Sequence, residues 1–139
     1  MDKILTQGRG AFGGIATAPA VVCPESILGM VGIDTATGLI AEKGHSQYGQ
    51  DITGKVLVLP CSKGSCGWSC LFHSAKVMGH NPAAWLFSKM DSKAGVVSVI
   101  CGVPVVTDFP DDIDLFSIIQ TGDIVSVNGD TGEVTVIKE

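Results

Sequence analysis

Between an apolar run, VLVL at 56–59, and a glycine-free stretch at 68–78 lie Ser62, Lys63, Gly64, Ser65 and Cys66. A serine can donate or accept a proton, a lysine carries a full positive charge, and a cysteine thiol can become a nucleophile. Placed where a strand hands over to a helix, such residues meet backbone N–H groups at the helix's positive end. That arrangement suits an anion, the carboxylate or phosphate of a small substrate. The lysine precedes the glycine, so G-x-x-x-x-G-K-[ST] is absent and the turn is not a nucleotide P-loop. The plainer reading of Ser62 or Ser65, and on pattern alone the favoured one, is a helix cap. Cys66 at a helix start would have its thiol pKa lowered.

The elements around this turn follow from pattern. Residues 56–59 are continuously apolar, as in a strand covered on both faces, and Pro60 ends them. Residues 68–78 place Leu71, Ala75 and Met78 at helical spacing, with Gly79 as a stop. Residues 4–9 and 15–23 form two early strands, with Gly8, Gly10, Gly13 and Gly14 marking tight bends or close backbone approach. Residues 26–33 read as a loop packed on another surface, 34–38 as a turn, 39–41 as a short strand, and 45–53 as polar and irregular. Residues 83–87 read as a buried strand. Residues 93–101 suit either a helix start or a strand, and Val105-Val106 a further strand. FPDDID at 109–114 is an acidic, solvated turn. Strands at 123–127 and 133–137 around NGDTG give a strong hairpin signal.

Composition narrows the class. The 139 residues suffice for one domain, 1–139, with a real core. Charged residues are only 17%, a proportion consistent with some surface being covered by a partner. A net charge of −5 and no basic run argue against nucleic acid, and no segment reaches membrane-spanning length. A cytoplasmic location is expected. Five cysteines without a secretory signal argue against a disulfide framework. Cys61, Cys66 and Cys70, spaced C-x4-C-x3-C, fit an iron–sulfur loop poorly. His45 reads as a solvated loop residue, His73 as packed or solvated on its helix, and His80 as a C-terminal helix cap.

Several blocks in fixed order carry a resemblance: GIDTATGLI (32–40), HSQYGQDITGKVLVLP (45–60), SKGS (62–65), HNPAAWL (80–86) and TGDIVSVNGDTGEVTV (121–136). Together they are similar to the small subunit of the aconitase X family over nearly the full length. The resemblance implies an α/β fold, a swivelling β/β/α domain with a β-rich sandwich or barrel-like core and a central strand-turn-helix. It implies a hydro-lyase subunit active only with its large-subunit partner, which would hold an iron centre or iron–sulfur cluster, with this chain binding no metal itself. By that resemblance Ser65 is the catalytic base, and Lys63, Gly64 and Cys66 bind a small anionic substrate between the two chains. The family's G-R-G-S pattern has its arginine matched by Lys63, which loses a bidentate fork, and Cys66-Gly67-Trp68 replaces the serines that commonly follow. Bacterial members resemble cis-3-hydroxy-L-proline dehydratases and archaeal members phosphomevalonate dehydratases. The low charge content, unlike an ion-pair-rich thermophile surface, favours the first. Two alternatives from other classes are a phosphoryl-carrier or anion-binding module, for which an exposed His45 would be the nucleophile, and a purely structural subunit.

Overall fold

The structure is a computed structural model that describes residues 2–29, 31–63 and 67–138. The elements in chain order are β1 (Asp2–Gln7), β2 (Arg9–Phe12), β3 (Ile15–Val22), β4 (Ile33–Asp34), β5 (Leu39–Ile40), β6 (Val56–Leu59), α1 (Trp68–Val77), β7 (Ala84–Phe87), α2 (Ser92–Cys101), β8 (Val105–Thr107), α3 (Leu115–Ile118), β9 (Ile124–Asn128) and β10 (Glu133–Lys138).

Eight strands join in the order β1-β10-β9-β3-β6-β7-β8-β2. The long β3 is the hinge of this order. Residues 15–19 pair antiparallel with β9, and residues 20–22 pair parallel with β6. One half of the sheet is therefore an antiparallel meander and the other a parallel β6-β7-β8 unit crossed over by α1 and α2. β1 and β2 lie at opposite edges yet only Gly8 separates them, so the sheet turns back on itself into the expected sandwich-like, nearly closed core. The expected single strand at 4–9 breaks here. A Cβ on Gly8 would sit 2.7 Å from Val106 Cγ1 and 2.9 Å from the Thr107 carbonyl oxygen, so this corner admits no side chain.

The continuous apolar character of β6 and β7 follows from burial on both faces. Leu57, Leu59, Trp85 and Phe87 face the helices, together with Val21 and Val105. Their neighbours Val56, Val58, Ala84 and Leu86 face the meander, against Val125, Val127, Val134 and Val136. The result is three layers, helices on a parallel sheet on an antiparallel sheet, the β/β/α arrangement expected. Each fully buried Leu, Phe or Val contributes roughly 1.5–3 kcal/mol.

Residues 92–101 are helical, which settles the open choice at 93–101. Local strand propensity is overridden by two end signals: the Asp91 carboxylate accepts from the Ala94 N–H at 2.8 Å, and Gly102 closes the helix in a left-handed conformation. The acidic 109–114 stretch is only partly a solvated turn. Phe109 is buried, and Asp114 caps α3, a short helix not anticipated from pattern. Among the described residues no helix is long and apolar enough to cross a membrane.

Candidate functional site

The carboxyl ends of β3, β6, β7 and β8 point to one side of the molecule, where ligands bind in open parallel sheets. From these ends emerge Ser26, Ser62 with Lys63, Asp91 and Asp108. The substrate-handling stretch expected from sequence leaves β6 here. Of its members, Gly64, Ser65 and Cys66 lie outside the described residues; Lys63 and the turn that leads to it are described.

The described part of the turn is held from two directions. On one side, Asp91 Oδ2 accepts from the Ser62 N–H at 3.0 Å and from the Ser62 hydroxyl at 2.7 Å. Ser62 is thus tied to α2 and does not cap α1, whose N-cap is Gly67. Burial acts to raise the Asp91 carboxyl, but donation from Ala94 and Ser62 outweighs it and holds the group below the usual carboxylate range. On the other side lies the loop after β3. The Ser26 hydroxyl donates to the Cys61 carbonyl at 2.6 Å, and the Gly29 N–H donates to the Lys63 carbonyl at 3.2 Å.

Lys63 does not stand alone. Its ammonium donates to Glu42 Oε2 at 2.9 Å, while Glu42 Oε1 accepts from the Leu28 N–H at 2.7 Å. The Lys63 side chain is 38% exposed and that of Glu42 only 14%. Desolvation pushes the Glu42 carboxyl up, but the Lys63 and Leu28 hydrogen bonds prevail and keep it below its ordinary value. Among the described residues Glu42 is the acceptor that orients the Lys63 ammonium, a group with three donors in all.

Trp68 opens α1 and fixes it beneath this turn. Its indole is fully buried, donates to the Ile27 carbonyl at 2.7 Å, and lies 4.8 Å from Phe72 between ring centroids. Phe72 in turn meets Trp85 edge-on at 4.8 Å, and Trp85 stacks on Phe87 at 5.3 Å. Such pairs add about 0.5–1.5 kcal/mol beyond their buried area. An open groove of about 400 Å³ runs past this end of α1, lined by Thr35, Gly67, Cys70, Leu71 and Ser74.

The histidines depart from expectation. His45 is not solvated: its side chain is fully buried. Nδ1 accepts from the Gln47 N–H at 3.0 Å, which leaves Nε2 as the donor to the Ser26 carbonyl, with Glu25 Oε1 3.3 Å away. The ring a phosphoryl carrier would need exposed is thus enclosed. His80 does not cap α1 with its ring. Its backbone N–H does so, bonding the Ala75 carbonyl beside the Gly79-to-Lys76 bond, while the ring links Thr53 Oγ1 at 2.8 Å to the Ala36 carbonyl at 3.0 Å. His73 is exposed on α1.

Among the described residues no group of three or more His, Cys, Asp or Glu side chains converges as a metal site. Burial pushes the Cys101 thiol up to about 11 and the Cys23 thiol higher still, and Cys61 is also raised, first by burial and then by Asp91. Those shifts oppose the thiolate a metal requires. The described residues do not fit an iron centre.

Sequence reasoning missed Glu42, Ser26 and Asp91. Glu42 and Ser26 lie in loops with no periodicity, 21 and 35 residues from the groups they bind. Asp91 had a legible signal, an Asp one residue before a glycine-terminated helical stretch.

Comparisons with known proteins bear on this site. The sequence model of the aconitase X swivel domain matches residues 5–136. A protein of Methanocella arvoryzae named phosphomevalonate dehydratase small subunit is 35% identical over 91% of this chain and 94% of its own length. One of Pyrococcus furiosus with the same name is 32% identical over 96% of each. The crystal structure of Thermococcus kodakaraensis aconitase X in its holo-form superposes with a TM-score of 0.87 at 29% identity, over 97% of this chain and 99% of that one.

Proposed function

The chain belongs to the aconitase X swivel-domain family, and from that we propose that it is the small subunit of a two-chain hydro-lyase whose substrate is phosphomevalonate. The observation that carries this reading is the similarity, at 35% and 32% identity over 91% and 96% of this chain, to relatives that bear that name. These relatives favour phosphomevalonate over cis-3-hydroxy-L-proline. The low charge fraction that had pointed to the proline reports on how a surface is solvated, not on what a site binds.

Phosphomevalonate is a 3-hydroxy acid bearing a phosphate. Its dehydration transfers a proton from the carbon next to the carboxylate to a base. The C–H electron pair becomes the new double bond, and hydroxide leaves the adjacent carbon. In this reading Ser65 is that base. Three residues ahead of α1 in sequence and two after Lys63, it belongs to a stretch where a helix's positive end and an ammonium favour an alkoxide. Lys63, aimed by Glu42, pairs with the substrate anion, and Gly64 and Cys66 take part in binding it. An iron centre held by the large subunit would supply Lewis acidity toward the leaving hydroxyl. The residues of this chain bind, orient and accept the proton.

The test is co-expression with the large subunit from the same genome and an assay of both candidate substrates, with Ser65→Ala and Lys63→Met alongside. Turnover of phosphomevalonate, lost in Ser65→Ala and weakened chiefly in KM in Lys63→Met, is the expected result. Turnover of cis-3-hydroxy-L-proline alone would overturn the substrate, and full activity in Ser65→Ala the base.

A further inference from the structure

Ser26 and Asp108 are the two non-glycine residues with positive φ among those described, at 62° and 54°. Both follow parallel strands on the side where the substrate-handling turn emerges. Asp is tolerated in this region, and Asp108 is held there by Arg9 and the Met90 N–H. Ser has no such intrinsic ease, and a glycine would adopt φ 62° without penalty. A strained residue persists where its surroundings over-determine it, and such residues gather at functional sites.

What Ser26 does there is visible in its bonds. The residue is 3% exposed. Its N–H donates to the Cys23 carbonyl at 3.0 Å, and its own carbonyl is gripped by the buried His45 ring. With both main-chain groups fixed, the left-handed conformation aims the hydroxyl at the Cys61 carbonyl, 2.6 Å away. Three residues on, the Gly29 N–H reaches the Lys63 carbonyl. The loop after β3 thus grips the turn after β6 at two alternate residues, Cys61 and Lys63, on the side opposite Asp91.

We propose that Ser26 is a positioning residue for the substrate-handling turn, its hydroxyl setting the path of residues 61–63 and its strain maintained by His45 for that purpose. The inference rests on the reading above that this turn handles the substrate. It explains why a serine occupies a position where glycine would be less strained: glycine has no hydroxyl to offer Cys61.

Two variants separate positioning from stability. Ser26→Gly removes the hydroxyl and the strain together; Ser26→Ala removes the hydroxyl and keeps the strain. If Ser26 positions the turn, both variants lose kcat by ten-fold or more, since small misplacements near reacting groups are costly, while Ser26→Gly melts at or above the wild-type temperature and Ser26→Ala below it. Activity that follows the melting temperature, with Ser26→Gly as active as wild type, would overturn the proposal. Hydrogen exchange on the same two-chain complex gives a readout independent of any substrate: the Ser62 and Gly29 amides exchange faster in both variants. Unchanged exchange would overturn the proposal even if phosphomevalonate is turned over. Faster exchange in a complex inactive on phosphomevalonate would sustain the grip and refute only the substrate.

Discussion

Asp91 joins Ser62 to α2: one of its carboxylate oxygens takes both the amide and the hydroxyl of Ser62, and the other caps the helix at Ala94. A single side chain therefore sets the start of α2 and the path of the chain leaving β6, two elements that are separate in sequence.

This double role makes stability depend on acid in a defined direction. The Asp91 carboxyl is held below its ordinary value in the fold. A carboxyl lowered by folding contributes stability that is fully present above its unfolded value, near 3.8, and lost as pH falls through the lower folded value. Asp91→Asn should lower stability at pH 7 by about 1–2 kcal/mol, because the amide keeps one accepting oxygen, enough for the Ala94 cap, and turns an NH2 group toward the Ser62 donors. Its deficit relative to wild type should shrink below pH 3.8. Thermal melts of both proteins from pH 7 to pH 2.5 check this, and a deficit independent of pH would refute it.

The Lys63–Glu42 pair should prove modest in stability. With Lys63 more than a third exposed, a double-mutant cycle with Glu42→Gln and Lys63→Met should give a coupling of about 0.5–1 kcal/mol, reduced by salt. Glutamine still offers a carbonyl to the Leu28 N–H, so Glu42→Gln should cost less than Glu42→Ala. Urea melts at two salt concentrations are the measurement.

Gly10→Ala should be among the most damaging single-methyl additions in the molecule. A Cβ there would lie 2.1 Å from the Gly129 carbonyl oxygen, a backbone atom that moves only if the β9–β10 hairpin moves. A loss of about 3 kcal/mol or more is expected, read by denaturant titration. Near-wild-type stability would mean that β2 and the hairpin tip are not in contact.

Thiol labelling should sort the cysteines by burial. Cys70 is exposed on α1 and should react with a maleimide in the native protein, whereas buried Cys23 and Cys101, whose thiols are pushed up, should label only on unfolding. Peptide mass mapping before and after denaturant decides it; prompt native labelling of Cys101 would contradict the packing of α2.

The layers were readable in sequence because burial leaves a periodic trace. The unbroken VLVL of β6 and AWLF of β7, short and flanked by Pro and turn residues, read as strands covered on both faces, and the NGDTG hairpin names its own turn. The break at Gly8 was less legible, since whether a glycine bends a strand or eases a close approach depends on Val106 and Thr107, a hundred residues away. The site was half legible for the same reason. Lys63 declares its chemistry by type, but its partner Glu42 lies in an aperiodic loop. His45 misled because polar neighbours in sequence, Ser46 and Gln47, say nothing of Ser26 and Glu25 folding against the ring.

The closure through Gly8 also dictates an order of events during synthesis. β1 finds its partner in β10, from Asp2 against Lys138 to Gln7 against Glu133, and β2 finds its own in β8. β1 must therefore wait, unpaired, until β10 has been made. Non-local pairing of this kind slows folding. The waiting strand carries Leu5, 68% exposed even in the finished fold. The nascent chain thus keeps a sticky edge open while residues 8–132 are made, and the meander locks only once β10 has emerged.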